Sequence, residues 1–206
     1  MQTYGIRLID NQPISENARV LRFEKIDGSG FSFRPGEFVS LHIPGSNGEI
    51  LKRSYSVATL TDTPENAAVL EVVASFVENG RATHWFWHTD AGAEIEFAGP
   101  HGQLVMPTEK PGRLILIATG TGVAPYRSML SQMKPWLEQG LPIHVLFGVR
   151  HRNEAFYLED FRAQARAFPS FSFTLCVSRE SSSAADEYHG RVTGRLAELE
   201  PNATSD

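Results

Sequence analysis

Short stretches in which apolar and polar residues alternate fill the first half of the chain. They lie at 20–23, 38–43, 54–58, 69–77 and 94–97. Alternation with a period of two is typical of strands with one buried face, and the Gly and Pro residues between the stretches are turn signals. One helix interrupts the series, because Ala82, Trp85 and Phe86 recur at helical spacing before a stop at 90–92. We therefore predict a small antiparallel barrel or sandwich with one helix.

The pattern changes after a turn at 99–102 and a Pro- and Gly-containing linker at 107–112. Residues 114–118 form a continuous apolar run, which is typical of a parallel strand buried on both faces. A glycine-rich turn follows, then a helix in which Pro125 suits the first turn and Pro135 is expected to kink or end the helix.

The remaining elements are a strand at 143–148, a helix at 156–167 and a strand at 171–177. Strands that alternate with helices in this order predict a doubly wound parallel sheet. The expected fold class is thus a two-domain protein, an antiparallel β-barrel over residues 1–107 followed by an α/β parallel-sheet domain over residues 112–206.

Composition narrows the function classes. The net charge of −5 disfavours nucleic acid as the main partner. The one cysteine, Cys176, excludes an internal disulfide and a four-cysteine metal site, and we expect it in the core. His42, His84 and His101 are scattered, so no metal site is predicted. The start has no signal-peptide pattern and no apolar run is long enough to span a membrane, so we expect a cytoplasmic protein.

The stretch 52–58 carries the first candidate chemistry. On one strand, Arg53 and Tyr55 share a face while Ser54 and Ser56 share the other. An arginine pairs with phosphate, a tyrosine ring stacks on a flat heterocycle, and a serine hydroxyl can bond a ring nitrogen. These are the needs of a bound flavin nucleotide. An edge strand with a surface arginine is the alternative for this pattern taken alone.

The second candidate binding segment is a helix start at Gly80, Arg81, Ala82 and Thr83. Free backbone N–H groups at a helix N-terminus, an arginine and a hydroxyl hold a pyrophosphate well. A plain turn and cap is the alternative. The segment follows the flavin candidate by about one strand, as a dinucleotide flavin would require.

The third candidate binding segment is the glycine-rich turn 119–125. Strand, glycine-rich turn and helix place N–H groups and a helix dipole where a pyrophosphate can sit. Pro125 stands where the usual dinucleotide fingerprint has its third glycine, after Gly120 and Gly122, so a bare packing turn remains an alternative.

Basic residues follow the strands of the second half. They are Arg150, His151, Arg152, Arg179, Arg191 and Arg195, with Ser178 beside Arg179. All lie toward the carboxyl ends of parallel strands, where ligands bind in such folds. Ser178 and Arg179 indicate a grip on the 2′-phosphate of NADP rather than the acidic residue that selects NAD. Solvated surface arginines are the alternative.

Together these stretches resemble the ferredoxin–NADP⁺ reductase family. The resemblance rests on Arg53 to Ser56, Gly80 to Thr83, the turn 119–125 and residues 177–180, in order and at family spacing from about residue 5 to residue 195. It implies that 1–107 is the family's FAD-binding β-barrel and 112–206 its NAD(P)-binding domain, incomplete at the C-terminus.

The resemblance also implies roles for single residues. Arg53 would contact the flavin phosphate, Tyr55 would stack on the isoalloxazine, and Ser56 would bond its reducible nitrogen. Thr121 would lie near both rings, so Ser56, Tyr55 and Thr121 are the expected catalytic residues. The cofactor-binding set is completed by Ser54, Val73, Gly80, Arg81, Ala82, Thr83, Gly120, Gly122, Pro125, Arg150, Ser178, Arg179 and Arg191.

The implied activity is electron transfer between NADPH and a one-electron carrier such as ferredoxin or flavodoxin, with FAD and NADP(H) as cofactors. The alternatives are the reductase component of an oxygenase, a general flavin reductase, or a non-catalytic flavin-binding subunit. Family members usually continue through another strand, a Cys-Gly-x-x-x-Met turn and a C-terminal tail, none of which occurs in the 206 residues. We therefore expect a truncated form or a shortened homologue, with nicotinamide positioning affected.

Overall fold

A computed structural model describes residues 2–45 and 47–200 of the chain, which divides into two compact units. One unit consists of Met1–Met106 with Ala124–Met129, and the other of Pro107–Val123 with Leu130–Asp206. The domain bounds 1–107 and 112–206 stay a prediction, and residues 1, 46 and 201–206 within them lie outside the described residues.

The first unit is built on one curled antiparallel sheet. Its elements are β1 (Thr3–Ser15), β2 (Ala18–Lys25), β3 (Phe38–Pro44), β4 (Ile50–Ser56), β5 (Leu70–Ser75), α1 (Arg81–His88) and β6 (Glu94–His101). The strand order is β4-β3-β6-β1-β2-β5. Just past β4, Val57 bridges Val72, and the Ala58 N–H donates to the Glu71 carbonyl over 2.8 Å. The two edge strands therefore approach each other, and the predicted antiparallel barrel is confirmed.

The alternation of the sequence explains the core of this unit. Inward-facing residues of every strand are buried, among them Ile6, Leu21 and Phe97, while their neighbours face outward. Helix α1 adds Ala82 and Phe86, which are 7% and 1% exposed. The predicted helical spacing at this point is thus confirmed.

Two predictions for this unit need correction. The first alternating strand is β1, which the sequence argument omitted, and it lies at the centre of the sheet between β6 and β2. Its pairing with β2 shifts between Leu8 and Asp10, and again between Pro13 and Ser15, which breaks the simple alternation. The expected turn at 99–102 is wrong, because β6 continues through Gly99 and Pro100 to His101.

The second unit contains a parallel sheet. Its elements are β7 (Leu114–Thr119), α2 (Ala124–Glu138, whose first six residues belong to the first unit), β8 (Ile143–Val149), α3 (Leu158–Ala167), β9 (Phe171–Val177), β10 (Glu187–His189) and α4 (Val192–Glu198). The strand order is β10-β9-β8-β7, and each adjacent pair is parallel. The predicted α/β parallel-sheet architecture is confirmed.

Close packing fixes the carboxyl end of β8. A Cβ added at Gly148 would lie 2.8 Å from Cγ1 of Val192 and 3.1 Å from Cγ2 of Thr119, so glycine lets α4 and β7 approach the strand. Cys176 is fully buried, as predicted, and burial raises the pKa of its thiol to about 11. Pro135 lies inside α2 and does not end it, since the helix continues to Glu138.

Candidate functional site

Strand β4 presents the residues of the first candidate site at an edge of the sheet. Arg53 and Ser54 are exposed, and Tyr55 and Ser56 are half-buried. Nη1 of Arg53 donates to the carbonyl of Lys52 over 2.8 Å, which leaves the rest of the guanidinium turned to solvent. The strand therefore displays a cation, a ring and hydroxyl groups within four residues.

Tyr55 is held by packing rather than by hydrogen bonds. Its ring meets Phe86 edge-on, with centroids 5.3 Å apart and planes at 83°. Burial raises the pKa of Tyr55 to about 12, so the hydroxyl is neutral at physiological pH. Within residues 2–45 and 47–200 this hydroxyl has no hydrogen-bond partner. A perpendicular ring pair covers at most one face of the Tyr55 ring, which leaves the other face available for stacking.

The second candidate segment is the N-terminus of α1. Gly80 is the N-cap, no side chain caps the helix, and its first backbone hydrogen bond runs from the His84 N–H to the Gly80 carbonyl over 2.9 Å. The N–H groups of residues 81–83 are thus without intrahelical acceptors. A Cβ at Gly80 would lie 2.8 Å from Oγ1 of Thr83 and 2.9 Å from the Val77 carbonyl. The absence of a side chain keeps this turn tight, and these residues fit a bound pyrophosphate.

A cavity of about 730 Å³ opens beside this helix start. Its walls include Phe76 and Val77, which follow β5, and Trp87 of α1. Phe76 and Val77 are 54% and 59% exposed, unusually high for large apolar side chains, and the Phe76 ring lies edge-on to Trp87 at 5.5 Å. The cavity lining thus combines aromatic side chains with residues of the helix start, a combination suited to a nucleotide.

Val73 takes a different position from the other predicted flavin contacts. It is 4% exposed and pairs with Val20, but it lies on the opposite face of β5 from the core residues Val72 and Ala74. Its place in the cofactor-binding set stays a prediction.

Sequence reasoning missed an ionic network that contacts the backbone just after β4. Nη1 of Arg127 donates to the Ala58 carbonyl over 2.6 Å and to Oε1 of Glu71 over 2.8 Å, while Oε2 of Glu71 accepts from Nε of Arg22 over 2.6 Å. The Glu71 carboxylate is 8% exposed. The network fixes the backbone two residues beyond Ser56. No sequence signal connects these residues, because they come from β2, β5 and α2.

The glycine-rich turn after β7 has the predicted place between strand and helix. Residues Gly120–Val123 form a short 3₁₀ helix that leads directly into α2. Gly120 has φ +52°, a left-handed backbone that favours glycine, and a Cβ at Gly122 would meet nothing closer than 3.8 Å. Thr121 is half-buried and Pro125 is buried in the first turn of α2.

The predicted phosphate-binding residues of the second unit meet along the carboxyl ends of β8 and β9. The Arg179 N–H donates to the Arg150 carbonyl over 3.0 Å, and Ser178 donates to the Val149 carbonyl through both its N–H and its hydroxyl, over 3.1 and 3.3 Å. The N–H of Gly190, which precedes Arg191, donates to the Val177 carbonyl over 2.9 Å. These bonds place Arg150, Arg179 and Arg191 on adjacent loops at one edge of the sheet.

The arginines in this region fall into two classes. Arg152 is neutralised by Glu187 at 2.7 Å and Glu180 at 2.5 Å, and these carboxylates raise its pKa. Arg195 pairs with Glu198 at 2.7 Å. In contrast, the side chains of Arg150, Arg179 and Arg191 are exposed and have no partner in the described part of the chain. Three unpaired cations on neighbouring loops are suited to an anionic group.

The described residues contain no group of three or more His, Cys, Asp or Glu side chains that could hold a metal ion. His84 and His88 stack on α1 with centroids 4.2 Å apart, and His42 lies 3.8 Å from Glu96. None of the helices in the same residues is long and apolar enough to cross a membrane.

Comparison with known proteins assigns each half of the chain. Residues 5–106 match the oxidoreductase FAD-binding domain family, and residues 116–205 match the oxidoreductase NAD-binding domain family. The predicted binding of FAD and of NADP(H) is thereby confirmed as an FAD-binding and an NAD(P)-binding domain. The assignment of the chain as an oxidoreductase flavoprotein is confirmed as well.

Named relatives fall into two groups. Ferredoxin--NADP reductase B of Sorangium cellulosum is 32% identical over 200 residues, an alignment that covers 96% of this chain and 79% of that protein. The reductase component of propane 2-monooxygenase from Rhodococcus jostii is 27% identical, covering 98% of this chain and 54% of that protein. The chain thus spans about half the length of that oxygenase reductase.

Solved structures share the fold. A ferredoxin NADP⁺ reductase from Neisseria gonorrhoeae with bound FAD and NADP superposes with a TM-score of 0.81 at 20% identity, covering 99% of this chain and 82% of that chain. The Amycolatopsis cytochrome P450 reductase GcoB gives a TM-score of 0.83 at 24% identity, covering 98% of this chain and 60% of that chain. On its fold, its two matched domains and its similarity to the Sorangium protein, the chain belongs to the ferredoxin–NADP⁺ reductase family.

Proposed function

We propose that this chain transfers electrons from NADPH, through FAD, to a separate one-electron carrier such as a ferredoxin or flavodoxin. The observation that carries the proposal is that the two units display different sets of binding groups. One displays a ring, hydroxyl groups and an open helix N-terminus, and the other displays three unpaired arginines beside a glycine-rich turn. Bound FAD supplies the redox chemistry, since a flavin accepts a hydride from a nicotinamide and releases its electrons one at a time.

The chain's own residues then bind the flavin and align it. Arg53 holds the flavin phosphate and the N–H groups of residues 81–83 hold the pyrophosphate, which favours FAD over FMN. Tyr55 offers a ring face to the isoalloxazine, and the Ser56 hydroxyl bonds its reducible nitrogen. The protein contributes position and electrostatics rather than a general base or nucleophile.

In the second unit, Gly120, Thr121 and Gly122 face the nicotinamide and its pyrophosphate. Arg150, Arg179 and Arg191, with Ser178, hold the adenosine phosphates. The 2′-phosphate is the group that NADPH has and NADH lacks, so unpaired arginines favour NADPH. Arg152 has no part in this role, because Glu180 and Glu187 already neutralise it.

Arg179→Ala tests the nucleotide preference. A charge-assisted hydrogen bond at an exposed site contributes about 1.5 kcal/mol, so we expect kcat/KM for NADPH to fall roughly tenfold. The value for NADH should change less than about twofold, because NADH has no phosphate at this position. Steady-state oxidation of both nucleotides with ferricyanide as acceptor gives the comparison.

Arg166→Ala is the matched control. Arg166 is an exposed arginine of α3 whose guanidinium pairs with Glu159, so its removal changes the net charge of the same unit equally. It should leave both nucleotides unaffected. Equal loss for NADPH and NADH in Arg179→Ala would remove Arg179 from phosphate recognition.

A second candidate is the reductase component of an oxygenase. It is supported by several relatives that are oxygenase components, among them the propane 2-monooxygenase reductase component and the toluate 1,2-dioxygenase electron transfer component. Electron delivery to a purified ferredoxin or flavodoxin, measured against delivery to an oxygenase component, separates the two candidates. A non-catalytic flavin-binding subunit would bind FAD and show no ferricyanide turnover.

A further inference from the structure

The hairpin that joins β3 to β4 forms one rim of the 730 Å³ cavity. Pro44 and Gly45 line the cavity there, as do Phe76 and Val77. The Gly45 N–H donates to the Glu49 carbonyl over 2.8 Å, which closes the hairpin. The hairpin thus brings Glu49 to the same rim at which α1 begins.

Glu49 is held in a defined place. Its Oε2 accepts the Asn47 N–H over 3.0 Å, and its side chain lies so close to Gly45 that a Cβ there would be 2.4 Å from Cδ of Glu49. Backbone hydrogen bonds, chiefly from its own N–H, lower the pKa of Glu49 below its usual range. The carboxylate is therefore ionised at neutral pH.

The carboxylate of Glu49 engages the arginine at the start of α1. Nη1 of Arg81 donates to Oε1 of Glu49 over 2.5 Å, and the two side chains are 58% and 31% exposed. An exposed ion pair of this kind contributes little to the stability of the fold. Arg81 therefore loses little when it leaves Glu49 for a phosphate, because a phosphate binds a guanidinium through two strong hydrogen bonds.

We propose that Glu49 is an affinity-determining residue that competes with the FAD pyrophosphate for Arg81. The inference rests on the proposed function, since it takes the start of α1 as the pyrophosphate site. Glu49 opposes FAD because it occupies a donor of Arg81 that the phosphate would otherwise take, so its effect requires Arg81. Its effect is a weaker, more readily exchanged cofactor. The pair thus sets FAD affinity rather than holding the fold together.

The test is a titration of the flavin-free protein with FAD, followed by flavin fluorescence, at low ionic strength. Glu49→Gln keeps the acceptor for the Asn47 N–H and removes the charge. Removing a competing pair of this strength should lower the Kd for FAD about two- to fivefold. Arg81→Met should raise the Kd, and adding Glu49→Gln to Arg81→Met should change it less than twofold.

Two controls isolate the effect. Glu65→Gln removes an exposed carboxylate from the same unit and should leave the Kd for FAD unchanged. FMN has no pyrophosphate, so its Kd should be the same in Glu49→Gln and in the unaltered protein. Unchanged or weaker FAD binding in Glu49→Gln would overturn the inference. The pair would then serve only to hold the hairpin against the start of α1. Failure of the unaltered protein to bind any flavin would overturn the proposed function as well.

Discussion

Replacing Tyr55 with alanine separates two roles of one ring. The ring is half-buried and lies nearly perpendicular to Phe86, with the ring centroids 5.3 Å apart. Truncating a fully buried aromatic residue costs about 3–5 kcal/mol, and an edge-to-face pair accounts for about 0.5–1.5 kcal/mol of such a contact. For a half-buried ring we therefore expect the flavin-free protein to lose about 2 kcal/mol of unfolding free energy. Stacking on the isoalloxazine adds about 1–3 kcal/mol, so FAD affinity should also fall about 5- to 150-fold.

Tyr55→Phe is the matched control. The Tyr55 hydroxyl has no hydrogen-bond partner among residues 2–45 and 47–200, so removing it should leave stability and FAD retention near their original values. Urea unfolding of the flavin-free proteins measures the first quantity, and FAD titration measures the second. Undiminished FAD affinity in Tyr55→Ala would refute stacking at this ring, and an equal loss in Tyr55→Phe would assign the role to the hydroxyl.

Two further predictions concern the helix start and the β10 region. Gly80→Ala should cost about 1–3 kcal/mol of stability and weaken FAD binding in an FAD titration, because the new Cβ would meet the Val77 carbonyl at 2.9 Å. Gly122→Ala is the control: its new Cβ would meet nothing closer than 3.8 Å, so FAD affinity should be unchanged in that titration. Arg152 and neighbouring donors lower the pKa of Glu187 to about 2, so its contribution to stability is complete above the ordinary carboxyl range and is lost as the pH falls toward 2. Acid unfolding of Glu187→Gln should therefore depend less on pH between about 4.5 and 2 than that of the original chain, and identical profiles would contradict the assignment.

The fold was largely predictable because burial imposes a simple period. The strand at 171–177 was predicted with its observed bounds, because buried Phe171, Phe173 and Leu175 alternate with more exposed residues before the strand ends in an apolar, fully buried pair. Strand β1 was missed because it turns polar after Ile9 and shifts register near Pro13, although Ile6 and Leu8 are fully buried. Pro135 was expected to kink or end a helix that in fact continues past it, because the preceding turns pack Met129 and Met133 firmly.

The candidate site was less predictable, because its state depends on pairs that are distant in sequence. The sequence places Arg150, Arg152 and Arg179 in similar loops, and only the structure distinguishes the neutralised Arg152 from the other two. Likewise, Arg81 and Glu49 are 32 residues apart and lie on different elements, so no local pattern connects them. Local chemistry can be inferred from residue types, whereas the choice of ionic partner requires the tertiary fold.

The most direct test of the proposed function is a visible spectrum of the purified chain with FAD, followed by anaerobic addition of NADPH and, separately, NADH. We expect a protein-bound flavin whose oxidised absorbance is bleached at a lower concentration of NADPH than of NADH. Absence of flavin uptake would contradict the flavin site in the first unit. A bound flavin that stays oxidised with both nucleotides would contradict the proposal that this chain transfers electrons from NADPH.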